Sequence, residues 1–183
     1  LAQGGKVLDD LTDRTGFRKI EINGNRILLN GKALRIKGVN RHEDHPQYGC
    51  ALPFEAICYD LYLIRDMGCN SIRTAHYPNN EIFLDLCDEL GILVWEEHHL
   101  RGSNERMMRN PYFEPQCEQV IEEMITQHYN HPGIYMWGIM NECASDTEYG
   151  RMCYDRQYTL IRSLDRSRPC GSASNKYETD LCL

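Results

Sequence analysis

No apolar run in the 183 residues approaches the roughly 18–20 positions that span a bilayer, so a transmembrane helix is excluded. Basic charge is scarce as well. Lys and Arg total 20 against 27 Asp and Glu, giving a net charge of −7 and a pI near 5.5. A nucleic-acid or anionic-membrane binder would want a basic surface to displace counterions, so neither partner is expected. There is no GxSxG elbow, no P-loop and no GxGxxG pattern, which leaves triad hydrolysis, phosphoryl transfer and hydride transfer without a motif. Internal repeats and low-complexity stretches are absent. The nine cysteines, at 50, 58, 69, 87, 117, 143, 153, 170 and 182, lack any pairing pattern: the number is odd, no CxxC occurs, and several occupy apolar helix positions. A disulfide framework or zinc cage is therefore not expected. Buried reduced thiols suit a reducing compartment, and a cytoplasmic location is the expectation. The N-terminus has neither a signal-peptide pattern nor an initiator Met, so the natural start is expected upstream.

What is present reads as a folded domain: 42% of residues are hydrophobic and 26% charged, an ordinary globular mix. Residues 17–37 predict two or three short strands, FRKIEI, RILLN and ALRIKGV, with Asn30-Gly31 as a hairpin turn. Beyond them strand, loop and helix repeat. Ser71 to Ala75, Ile92 to Glu96 and Ile134 to Met140 are nearly continuous apolar runs, as expected of strands buried on both faces. Phe83, Leu86, Cys87 and Leu90 follow helical spacing, with Gly91 placed as a C′ glycine. Cys117, Val120, Ile121, Met124, Ile125 and His128 do the same for three turns. Ile57, Leu61 and Ile64 mark an earlier helix, and Tyr154, Tyr158 and Ile161 a later one. A last short strand is expected at Cys170 to Ala173.

Alternating strands and helices imply βαβ units and a parallel sheet, here of five strands starting at Leu34. Two architectures fit: a complete doubly wound sheet, or the first five units of an eight-fold barrel, which takes about 250 residues. The loops Asn40 to Pro53 and His98 to Pro111 are long, follow strand C-termini and gather titratable residues at one end of the sheet, where both architectures place their sites.

Glu142 is the most informative residue. It follows the buried strand in WGIMNE, and partial desolvation there would raise its pKa toward that of a general acid. The plainer alternative is an ordinary Glu opening a loop. His42 and His76 sit just past strand ends, where neutral imidazoles could bind hydroxyl groups. Arg73 lies within its strand, and a buried Arg demands a carboxylate partner. Glu96-Glu97 and His98-His99 cannot each converge on one metal ion, because adjacent strand residues face opposite sides. Trp95 and Trp137 read as core residues first.

Taken together, these segments resemble glycoside hydrolase family 2, which holds β-galactosidases, β-glucuronidases and β-mannosidases. Asn70 to Pro78 (NSIRTAHYP), Phe83-Leu84, Asp88, Gly91 and Ile92 to Trp95 match a first signature in order and spacing. Asn130-His131-Pro132, Trp137-Gly138 and Asn141-Glu142 match a second, with Gly133 in place of the usual Ser or Ala and Tyr135 departing from an aliphatic run. GFRKIEI, LLNGKALRIKGVNRHEDHP and LDRSRP are similar to the family too. The resemblance implies an α/β fold: a (β/α)8 TIM barrel, incomplete, with about the first five β/α units after a short N-terminal β-hairpin. Residues 17–183 would be the partial catalytic barrel, and 1–16 the tail of a preceding domain or a linker.

The implied activity is that of a retaining exo-β-glycosidase on terminal β-linked sugars, β-galactosides first, because NRHEDHP looks more like that branch. The alternatives are a β-glucuronidase and a non-catalytic carbohydrate-binding module. By the same resemblance Glu142 is the general acid/base, Asn141 binds the sugar 2-hydroxyl, His42 and His76 face the sugar, and Arg73 holds the nucleophilic carboxylate. The family's nucleophile is a Glu on the seventh strand, so these residues alone are expected to show no turnover. An open sheet edge leads to an expectation of weak stability or self-association. The galactosidase branch often uses Mg²⁺, but His98-His-Leu-Arg-Gly102 is short and lacks the expected carboxylate, so no metal ligand is assigned. The full-length protein is expected to be a homo-oligomer.

Overall fold

The computed structural model describes residues 2–12, 14–174 and 181–182. Strands β1 (Ala2–Gln3) and β2 (Lys6–Val7) form a small hairpin. Strands β3 (Ile20–Asn23), β4 (Arg26–Leu29) and β5 (Lys32–Leu34) build a three-stranded antiparallel sheet. The β4–β5 turn has φ of 51° at Asn30 and 76° at Gly31. Two successive left-handed residues define the hairpin turn that suits strand twist, and Asn-Gly enters that region at least cost. The Asn30 side chain also accepts from the Lys19 amide at 2.8 Å.

The stretch ALRIKGV is not one strand. Lys32–Leu34 stays in the antiparallel sheet, and the parallel sheet starts at β6 (Gly38–Arg41), not at Leu34. The cause is Asn70, whose side chain accepts from the Lys37 amide at 2.8 Å and donates to the Arg35 carbonyl at 2.9 Å. Those bonds hold residues 35–37 as a crossing between two sheets.

Next come α1 (Phe54–Asp66), β7 (Ser71–Thr74), α2 (Glu81–Leu90) and β8 (Leu93–Glu97). They are followed by α3 (Glu105–Met108), α4 (Phe113–His128), β9 (Ile134–Asn141), α5 (Glu148–Leu164), β10 (Cys170–Ala173) and β11 (Leu181–Cys182). Helix α3 lies inside the segment read as a loop; the Asn104 side chain caps it by accepting from the Met107 amide at 3.0 Å, and its Met108 is buried. Asn80 and Thr147 cap α2 and α5 in the same way, and Gly91 closes α2 at φ 69°.

The six strands β6 to β11 run parallel in the order β11-β10-β9-β8-β7-β6. Each strand adds beside its predecessor, without the reversal of order that defines a doubly wound sheet. The open-sheet alternative is thereby excluded, and the fold is part of a barrel. One face packs on the helices: Ile72, Val94, Ile134, Trp137 and Ile139 meet Phe83, Ile121 and Tyr154. On the other face Leu93, Trp95, Tyr135 and Met136 are covered by Ile20 and Ile27 of the antiparallel sheet. At about 1.5–3 kcal/mol for a fully buried aliphatic side chain, this small sheet is an energetic part of the barrel. Among the described residues, Cys50, Cys58, Cys69, Cys87, Cys117, Cys143 and Cys153 form no disulfide.

Candidate active site

The C-terminal ends of β6, β7, β8 and β9 surround a polar mouth. At its floor is Glu97, the last residue of β8 and buried. It shares an inward parity with Leu93 and Trp95, since alternate strand residues face one side. Arg73 donates to it twice, Nε to Oε2 at 2.9 Å and Nη2 to Oε1 at 3.0 Å. His76 Nδ1 lies 2.7 Å from Oε1. Burial is the largest influence on Glu97 and pushes its pKa up, with Arg73 and then His76 only partly offsetting it. Glu96 faces outward, onto His128 of α4 at 2.9 Å, so the adjacent glutamates do separate to opposite sides.

Room for Glu97 comes from β9. A Cβ on Gly138 would stand 2.3 Å from Glu97 Cβ and 2.6 Å from Trp95 Nε1, so only glycine fits beside them. Arg73 also lies over the Trp95 ring, 4.7 Å from its centroid.

Asn141 ends β9, and its Oδ1 accepts from Arg73 Nη2 at 2.6 Å. That bond fixes the amide orientation and leaves the NH₂ group to donate elsewhere. The Asn141 main chain is held from both directions, donating to Leu100 at 3.0 Å and accepting from Gly102 at 2.9 Å. Glu142 follows at φ 50°, a left-handed conformation that costs a non-glycine residue of order 1–3 kcal/mol. Its amide donates to the Ala173 carbonyl at 2.8 Å, which ties it to β10. The expected partial burial of Glu142 is not found: its side chain is exposed. The sheet stops at Asn141, and the left-handed turn carries the next residue off the apolar strand.

His42 and His76 come together at the rim, with ring centroids 5.2 Å apart, and Tyr77 stands 6.3 Å from His42. His42 has its pKa lowered, first by burial and then by the charges of His76 and Arg101. It is a neutral hydrogen-bonding group at pH 7. The structure thus brings Arg73, His76 and Asn141 into one network around Glu97, with His42 against His76 and Glu142 next in chain. Sequence reasoning passed over Glu97. The signal was available: Arg73 needs a carboxylate, and Glu97 has the inward parity on the neighbouring strand.

The loop after β8 does not fit a magnesium ion, which requires oxygen ligands. His98 is buried, its Nε2 2.8 Å from Gln157 Oε1, and burial pushes its pKa down to about 3. His99 and the cationic Arg101 complete that loop without a carboxylate. Among the described residues one group, Asp85, Asp88 and His131, gathers ligand atoms within 4.8 Å. It sits at the opposite end of β9, where Asp88 accepts from the Gly133 amide at 2.6 Å and lies 2.7 Å from His131 Nδ1.

A parallel, singly wound α/β sheet with its polar network at the strand C-termini defines a barrel of the TIM class. The model of the glycosyl hydrolases family 2 TIM barrel domain matches residues 20–183, and the chain belongs to that family. It is 68% identical, with a TM-score of 0.88, to a GH2 β-galacturonidase from Eisenbergiella tayi, solved with galacturonate and with glycerol. The match covers 93% of this chain and 30% of that one. A β-glucuronidase from Ruminococcus gnavus is 30% identical with a TM-score of 0.87, over 93% of this chain and 30% of that one. A β-galactosidase from Pseudoalteromonas haloplanktis is 34% identical in an alignment 188 positions long that covers 99% of this chain and 18% of the relative. The chain therefore spans less than a third of the length of these relatives.

Proposed function

We propose that this chain supplies the acid/base half of a retaining exo-β-glycosidase site, and that the sugar is a β-galacturonide. The observation that carries the mechanism is Asn141, oriented by Arg73 at 2.6 Å and placed one residue before Glu142. With its Oδ1 occupied, Asn141 offers N–H groups to the sugar 2-hydroxyl, a contact that strengthens as the transition state gains oxocarbenium character. Glu142 protonates the glycosidic oxygen and then takes the proton of the water that opens the glycosyl-enzyme. Its exposure agrees with a group that must reach both leaving group and solvent.

A retaining mechanism needs a second carboxylate about 5–5.5 Å away. Glu97 is unsuited to attack, because Arg73 and His76 occupy both of its oxygens; it positions Arg73 instead. The nucleophile is expected from the family's seventh strand, outside these residues, and residues 1–183 alone are expected to give no turnover. The sequence favoured a β-galactoside. The 68% identity to a galacturonidase shifts the choice to the uronide, which shares the axial 4-hydroxyl with galactose and differs at C6.

The test is the full-length protein on the 4-nitrophenyl β-glycosides of galacturonic acid, galactose and glucuronic acid. The galacturonide should have the largest kcat/KM, with β-galacturonate as the first product by NMR. In the Glu142→Gln variant, activity should fall about 10²–10⁴-fold, the usual worth of a general acid/base. A faster galactoside sinks the uronide choice, and an α first product sinks the retaining mechanism.

A further inference from the structure

Glu142 is aimed by its main chain. Its side chain is exposed, and among the described residues no hydrogen bond or ion pair holds the carboxyl group. Its direction therefore depends on the left-handed turn at φ 50° and on what keeps that turn in place. Strand β10 gives one support, through the Ala173 carbonyl at 2.8 Å. Helix α5 gives a second: a Cβ on Gly150 would overlap the Ala144 carbonyl oxygen, so the helix start lies directly against the turn.

The third support is the loop after β8, which folds back along the end of β9. The Asn141 amide donates to the Leu100 carbonyl at 3.0 Å, and the Gly102 amide donates to the Asn141 carbonyl at 2.9 Å. Arg101 is thereby the parallel bridge partner of Asn141. One residue on, the Ser103 carbonyl accepts from the Ala144 amide at 2.9 Å, and Ser103 is buried. Glu142 lies between the two gripped residues, Asn141 and Ala144. Gly102 joins the two grips, since its own amide serves the first and the next carbonyl serves the second. It does so at φ 61°. Another backbone conformation there would turn the Ser103 carbonyl away from Ala144. A Cβ at Gly102 would meet nothing within 4 Å, so a substitution acts through the backbone and not through a clash.

We propose that Gly102 is a positioning residue, which places Glu142 for proton donation to the glycosidic oxygen through these main-chain bonds. This rests on the acid/base reading above and deepens it. Proton donation matters in proportion to the basicity of the leaving oxygen. A phenolate needs the proton as its bond to C1 breaks, whereas 2,4-dinitrophenolate departs without one. A misplaced acid therefore slows phenyl glycosides and spares dinitrophenyl glycosides. General damage to the site slows both.

The experiment measures kcat/KM of the full-length protein on phenyl and 2,4-dinitrophenyl β-glycosides of whichever sugar it hydrolyses fastest. The choice of uronide then does not enter. Gly102→Val places a β-branched residue where φ is positive, which such residues avoid. It should slow the phenyl glycoside about 10- to 100-fold, the scale of an acid moved by about an ångström, and the dinitrophenyl glycoside less than about threefold. Gly102→Asn tolerates the left-handed region and should stay within about threefold of the parent on both. Gly102→Ala should fall between, and it decides the matter if Gly102→Val does not fold. Glu142→Gln is the reference and should show the same leaving-group selectivity at larger amplitude. If the Gly102 variants slow both substrates alike or neither, or if Gly102→Asn is as damaging as Gly102→Val, Gly102 does not position the acid. If Glu142→Gln itself slows both substrates alike, the acid/base reading fails, and this inference with it.

Discussion

At the closed end of the parallel sheet Arg168 pairs with Asp165; at the mouth Arg73 pairs with Glu97. Chemically the pairs are alike, yet they are tuned in opposite directions. Asp165 accepts from Ser167 twice at 2.7 Å, from Trp137 at 2.8 Å and from Arg168 at 2.6 Å. Those bonds outweigh burial, which alone would raise it, and hold its pKa below the usual carboxylate value. Arg168 directs its other N–H groups to the carbonyls of Ile134, Tyr129 and His131. The polar atoms of both side chains are thus matched by protein groups. At the mouth, burial wins over Arg73 and raises Glu97, and Arg73 shares its donors with Asn141. The difference separates a pair that clamps the fold from one that leaves groups available to a ligand.

The comparison breaks first, if it breaks, at Asp165. Asp165→Ala leaves the Arg168 charge and the Trp137 N–H buried without a partner, and removing one member of such a pair costs about 3–5 kcal/mol. Denaturant unfolding of the full-length protein should show that loss, with sugar affinity retained in the folded fraction. A cost under about 1 kcal/mol would mean that water replaces the carboxylate and that this end is not closed.

How much of this was legible in sequence follows from which rules are local. Arg73 near the end of its strand, His76 just past it and Asn141 at the end of β9 could be located because apolar runs stop there and barrel sites gather at C-terminal edges. The Asn30-Gly31 turn and the Gly91 cap are likewise local signals. Glu97 was not found, because its role depends on register: β7 and β8 pair Arg73 with Trp95, which sets Glu97 one inward position above. The break between β5 and β6 was hidden in the same way, since Asn70, about 35 residues on in sequence, holds the crossing. Glu142 was expected under apolar cover because strand burial was extended one residue too far, past a left-handed turn that periodicity does not mark.

Two glycines, one just before β9 and one inside it, sharpen the contrast. Gly138→Ala puts a methyl against Glu97 Cβ and Trp95 Nε1, an overpacking cost of about 1–3 kcal/mol. It also displaces the carboxylate that orients Arg73, so kcat/KM should fall more than the stability loss accounts for. Gly133→Ala at the closed end meets Asp88 Oδ1 at 2.6 Å and the Ile92 carbonyl at 3.1 Å. It should cost similar stability while the kinetics of the folded enzyme stay unchanged. Equal kinetic losses from both would show that strain travels along β9 and that the two ends are not independent.

His98 gives a pH test near the mouth. Its folded pKa is lowered to about 3 from about 6.5 in the unfolded chain. Protons therefore bind the unfolded state more readily, and stability is lost as pH falls below 6.5. Between pH 7 and 5 that loss is about 2 kcal/mol. His98→Gln carries no titrating group there, so its loss over the same interval should be smaller by that amount. Equal losses in variant and parent would mean that His98 accepts a proton inside the fold.

His131 at the closed end should do the reverse, more weakly. Burial opposes its protonation, but the hydrogen bond and charge of Asp88 prevail, and its pKa is raised. A raised folded pKa means that the ion pair stabilises fully below the unfolded value and is lost as pH rises through the folded one. For a half-buried pair the worth is roughly 0.5–1 kcal/mol, so it is best read as a difference. Subtracting the pH–stability curve of His131→Gln from that of the parent should leave a step that falls with rising pH above about 6.5, opposite in sign to the His98 step. A step of the same sign would mean that burial, not Asp88, governs His131, and that the closed end is no better matched in charge than the mouth.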